Sequence, residues 1–179
     1  MSDFRDMAGD PKHRRKFEKL LFLACQRGDD DLVAERLSWG IDPNCVFGKK
    51  ARTPLIANVK GYSPNAATVK ALLAAGADPQ YTDATGLKAL DYARRKLAKL
   101  RNNPPVHVKS PSLDENDQLQ LSPDEQEEFD KMREELGPEG KDFMRIWWKE
   151  RLRAARRVFN DPAQVEQIVA ILEAAGGKP

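Results

Sequence analysis

The amino-acid sequence predicts an all-α fold, a solenoid of stacked helix-turn-helix pairs with a helical hairpin inserted into the last pair. Three observations predict it. An apolar stripe at helical spacing recurs and stops at a glycine each time: LVAERLSWGIDPN at 32–44, TVKALLAAGADPQ at 68–80 and IVAILEAAGG at 168–177. A second apolar element precedes each stripe, as LFLA at 21–24, TPLI at 53–56 and GLKALDYA at 86–93. The last pair is split, because residues 101–160 separate its halves where about 5 are usual. One helix pair cannot bury its apolar face alone, so a repeat with a period near ~33 residues implies stacking into a continuous core.

Composition bounds the class. The 179 residues suffice for one ordinary domain, with 40% hydrophobic and 32% charged residues and a net charge of +2. That balance does not call for a nucleic-acid or membrane partner. Cys25 and Cys45 are too few for a disulfide framework and do not sit at zinc-finger spacing. The opening MSDFRDMAGD carries no apolar stretch, so no secretory leader is expected. No apolar run approaches ~18 residues, so no membrane span is expected either. The expectation is a soluble, cytoplasmic, monomeric protein, read as a single domain over 1–179.

The elements follow in order. Asp10-Pro11 reads as a helix cap and first helical position, opening a helix to about Arg27. Its Lys12, Arg14, Arg15, Lys16 and Lys19 surround Phe17, Leu20, Leu21 and Ala24, so a solvated basic face closes the first end of the stack. Thr53-Pro54 repeats the cap signal. Gly40, Gly76 and Gly176 read as C-caps needing positive φ. Trp39, just before its glycine, either packs under the neighbouring loop or is exposed. The units run 17–48, 49–81, and 82–100 joined to 161–177.

The insertion, 101–160, divides into a loop at 102–121 and helices at 123–136 and 140–159. Ser122 and Glu125 form a capping-box signature. Phe129, Met132 and Leu136 share one face, and the helix stops at Gly137. From 123 to 136 there are seven acidic and two basic residues, and from 141 to 157 seven basic and two acidic. An antiparallel hairpin with facing charges is the natural arrangement. Exposed ion pairs contribute only ~0.2–1 kcal/mol each, so apolar contacts must hold it. Adjacent Trp147 and Trp148 point about 100° apart. One is expected in the hairpin and the other against the stack or a partner. Arg145, Lys149 and Arg153 follow i, i+4 spacing, either paired with the acidic helix or free to dock an acidic partner.

Chemistry is sparse. His13 and His107 have no metal-ligand spacing. Gly48-Lys49-Lys50 is not a phosphate loop, since the glycine needed five residues earlier is Pro43. Cys25 reads as a buried filler. Cys45 lies in a loop, an open position for a reactive thiol, though no base neighbours it in sequence. No catalytic residue, metal or cofactor is expected.

The TPL at 53–55 and AAGADP at 74–79, recurring in order with an apolar second helix between them, resemble the ankyrin repeat. The resemblance covers roughly 17–97 and 162–177. It departs where Ile56 replaces the family's histidine, where Asn58 replaces a small apolar residue, and where about two extra residues enter at 61–64. The resemblance implies a non-catalytic protein-binding module that uses loop tips and first helices on its concave side. Carried over by position, the tips supply Phe47, Lys49, Lys50 and Arg52, then Tyr81 and Asp83. Lys60, Arg94 and Arg95 line the same side. Arg145, Trp148, Lys149 and Arg153 are further contact candidates from the insertion. A protein inhibitor, immunity protein or adaptor fits this reading. The alternative is nucleic-acid binding through the basic faces at 12–19 and 145–157, disfavoured by the small net charge and the absence of interleaved aromatics.

Overall fold

The helices begin where short polar side chains can satisfy free backbone N–H groups. In this computed structural model, residues 10–104, 120–137, 148 and 160–176 are described. Asp10 accepts the Lys12 N–H at 3.0 Å and opens α1, Pro11–Arg27. Asp29 accepts from Leu32 to open α2, Asp30–Ser38. Thr53 accepts from Ile56 ahead of α3, Pro54–Lys60. Asn65 accepts from Ala67 and Thr68 ahead of α4, Ala66–Ala74. The Lys88 N–H donates to Asp91 at the start of α5, Ala89–Asn102. Ser122 and Glu125 cap each other's backbone at α6, Pro123–Leu136. Asp161 accepts the Ala163 N–H at the head of α7, Pro162–Gly176. Among the described residues the secondary structure is otherwise a single antiparallel bridge, Phe47 with Arg52.

The chain divides into two compact units, Met1–Pro105 with Phe159–Pro179, and Val106–Val158. In the first, α1 packs on α2 and α3, α3 on α4 and α5, α2 on α4, and α7 on both α4 and α5. These contacts make two rows, α1–α3–α5 and α2–α4–α7, with a helix from each row forming a pair. The helix ending at Gly176 therefore lies alongside the helix that starts after Lys88. Leu21, Val33, Leu55, Ile56, Val59, Val69, Leu72, Ile168 and Leu172 are at most 1% exposed and belong to one apolar cluster. Each such side chain contributes about 1.5–3 kcal/mol by leaving water. Val165 joins Leu97 and Leu100 in an adjoining cluster that secures α7 to α5. Trp39 packs inward, edge-on to Phe17 at 5.8 Å between ring centroids.

Two features follow from close backbone approach. Gly28 ends α1 at φ 68°, and a Cβ there would lie 1.9 Å from the Ser63 carbonyl oxygen. Gly61 has no room either, since a Cβ would meet the Gln26 carbonyl at 2.3 Å. The turn at 61–65 thus lies on the end of α1. Asn58 fastens it: fully buried, it donates to the Cys25 carbonyl at 2.9 Å and accepts the Asn65 N–H at 3.2 Å. An asparagine in the place of a small apolar residue is explained by these two bonds, which give the Asn65 N–H an acceptor and the Cys25 carbonyl a second donor beside the Gly28 N–H.

Gly40 and Gly76 adopt the expected positive φ, 78° and 93°. Gly176 does not. It is the last residue of α7 and is closely approached by Gln80, whose Nε2 would be 2.8 Å from a Cβ. Its smallness serves packing, not a reversed turn.

In the second unit, Phe129 and Met132 of α6 are half-buried, and Phe129 meets Trp148 edge to face at 5.6 Å. The pairs Lys131–Glu127 and Arg133–Asp130 lie on the surface of α6. Arg145, Trp147, Lys149, Arg153, His107, most of the loop at 102–121 and the helix expected at 140–159 lie outside the described residues, as does the Leu136 side chain.

Candidate functional site

Two loops flank α3 and α5 on the same ends of their helices. The first, 46–52, is a short hairpin. The Phe47 and Arg52 backbones exchange hydrogen bonds of 2.9 and 3.0 Å. Gly48 and Ala51 both take positive φ, 74° and 48°, which lets the chain reverse with Lys49 and Lys50 at the exposed apex. The second loop, 81–87, folds around Asp83.

The loops are tied together. The Ala84 N–H donates to the Lys50 carbonyl at 2.9 Å, and the Tyr81 hydroxyl donates to the Ala51 carbonyl at 2.8 Å. Arg15 of α1 steadies the other side. Its guanidinium lies 3.8 Å above the Phe47 ring and donates to the Val46 carbonyl, while Phe22 packs on the same ring at 5.1 Å.

Asp83 is the hub. Its side chain is 0% exposed. Oδ1 accepts from the Thr85 hydroxyl and from the Thr85 and Leu87 N–H groups, and Oδ2 accepts from the Tyr92 hydroxyl at 2.7 Å. Burial alone would push this carboxyl up. The hydrogen bonds from Thr85, Tyr92 and Leu87 outweigh it and hold Asp83 at about 2. Arg52 Nε stands 3.6 Å from Oδ2, and the guanidinium is 6.0 Å from the Tyr92 ring centre. Lys60 Nζ is 5.1 Å from the same centre. One turn further along α5, Lys96 Nζ donates to the Gly61 carbonyl and to Asn160 Oδ1. Burial, and then the charge of Lys60, lower Lys96 to about 8.

The residues picked out by position therefore separate into two kinds. Lys49, Lys50, Lys60 and Arg95 are exposed cations. Arg94 is exposed too but spans α5 and α7 in a 2.8 Å pair with Glu173. Phe47 and Tyr81 are half-buried and hold the loops, Arg52 is partly covered, and Asp83 is enclosed. Asp83 cannot meet a partner in this arrangement; it shapes the loop that could. Trp148 is 36% exposed against Phe129 in the second unit. Sequence reasoning missed Tyr92, Thr85 and Lys96. Asp-x-Thr at 83–85 is a local signal for a side chain closing its own turn, but Tyr92 and Lys96 join only through tertiary packing.

The arrangement presents exposed cations at the apex of a hydrogen-bonded loop. Cys45 is buried, and burial pushes its thiol up to about 12, with Glu18 and Asp42 adding to the effect. Its loop position does not make it a nucleophile. Burial also raises Cys25 far above the usual thiol range. Among the described residues no group of His, Cys, Asp and Glu is placed to hold a metal ion. None of the described helices is long and apolar enough to cross a membrane. No family model and no curated protein matches the chain.

Proposed function

We propose that this chain is a non-catalytic protein-binding module of the ankyrin-repeat type, acting as an inhibitor, immunity or adaptor protein in the cytoplasm. Three helix pairs in register, with a projecting loop between successive pairs, support the repeat reading. The observation that carries the binding reading is the lacing of the two loops. Lys50 to Ala84, Ala51 to Tyr81 and the enclosed Asp83 fix the backbone, so Lys49 and Lys50 are presented with little backbone entropy to lose on binding. The insertion adds a second surface on which Trp148 is an aromatic anchor.

The test compares the full chain with its Lys49→Glu/Lys50→Glu variant as bait, with partners quantified by mass spectrometry and both melts recorded. A protein retained by the wild type and lost by the equally stable variant supports the reading. Identical partner profiles would move the contact away from the loops.

A further inference from the structure

Near Tyr92, cations outnumber the carboxylates that face them among the described residues. Arg52, Lys60 and Lys96 bring three positive charges to the α3–α5 junction, and among the described residues Asp83 is the one carboxylate in an ion pair with the group. Asp83 is enclosed and already accepts from Thr85, Leu87 and Tyr92. Arg52 Nε is buried and stands 3.6 Å from Asp83 Oδ2, beyond hydrogen-bond distance, so its pairing is incomplete. Lys60 is exposed and has no carboxylate partner among the described residues, although Lys96 lies close enough to be perturbed by it. Like charges gathered beside a half-buried ring repel one another unless an anion joins them.

We infer that Arg52 and Lys60, set over the Tyr92 ring with Lys96 behind them, form a notch that takes carboxylates from an acidic segment of a partner protein. This rests on the protein-binding reading above and names the partner's chemistry. The ring distances put the two outer cations no more than about 11 Å apart. An extended peptide places alternate side chains about 7 Å apart on one face, so Asp-x-Glu or Glu-x-Glu fits that span. A nucleic acid fits less well. The Tyr92 hydroxyl is committed to Asp83 and its ring neighbours two cations, which leaves no open aromatic platform for a base.

The probe is a decaglutamate peptide titrated into the full-length, isotope-labelled protein at low salt and at about 0.15 M salt, followed by amide shifts. Shifts centred on Lys60, Tyr92 and Lys96 are expected, with affinity falling as salt rises. Lys60→Glu should weaken binding roughly two- to fivefold at an unchanged melting temperature. Lys16→Glu, on the exposed face of α1, should leave it unchanged. Shifts elsewhere, no binding at either salt, or equal affinity in Lys60→Glu would overturn the notch. Tighter binding of an oligothymidylate of the same length at these residues would assign it to phosphate and overturn the acidic-segment reading. Any of these failures leaves the loop contacts of Lys49 and Lys50 standing, because their charge reversal is read separately.

Discussion

The Tyr92 hydroxyl donates to Asp83 Oδ2 at 2.7 Å, joining the second loop to the second turn of α5 across nine residues of sequence. Through it the loop inherits the rigidity of a helix whose Ala89 and Ala93 are in the core. Asp83→Ala should therefore leave the Tyr92 hydroxyl and the Leu87 and Thr85 N–H groups short of an acceptor. The expected loss is roughly 2–3 kcal/mol in urea denaturation. Tyr92→Phe, which removes one donor, should cost about 1 kcal/mol.

The same carboxylate predicts an acid response. Asp83 is held at about 2 in the folded chain against an ordinary 3.8, so the unfolded chain takes up its proton first. The stabilisation is complete above the ordinary value and disappears as pH falls through about 2. Denaturation midpoints between pH 5 and pH 2, compared for wild type and Asp83→Asn, should converge at the acid end. A constant gap would show that the ionised carboxylate is not what matters.

Lys96 predicts a slope of the same sign, a rise in stability with pH, in a second window at high pH. Its folded value of about 8 lies below the ordinary 10.5, so between the two the unfolded chain holds more protons. Stability contributed by this site rises as pH climbs through that window. Lys96→Met should flatten the rise, and Lys60→Ala should move the start of it upward by removing the neighbouring charge.

Glycines that look alike in sequence should differ sharply. Gly28→Ala adds a Cβ 1.9 Å from a carbonyl oxygen at positive φ and should cost more than about 3 kcal/mol. Gly40→Ala meets nothing within 4 Å at a similar φ, and backbone strain alone predicts about 1–2 kcal/mol. Thermal melts of the two variants check the contrast.

What could be read from the sequence was local. Asp10-Pro11, Thr53-Pro54 and Ser122 with Glu125 announce helix starts because a capping oxygen and its backbone N–H donor lie within three residues. The pairing of α7 with α5 was legible from the repeat, despite the intervening residues, since both stripes must bury a face. The site was legible only in outline. Lys49 and Lys50 are exposed on a turn, as a Gly-Lys-Lys apex suggests. The inward direction of Asp83 depends on Tyr92, the purpose of Asn58 on the end of α1, and the reach of Gln80 to Gly176 on a neighbouring pair. None of these partners is within helical reach in sequence, so no periodicity carries them.

The proposed binding surface requires α7 to close against α5, because that contact completes the third pair. Methyl NOEs between Val165 and Leu97 or Leu100 measure this directly. Strong cross-peaks among these three side chains are predicted. Their absence, with Val165 methyls seeing only their own helix, would contradict the stack and the surface built on it.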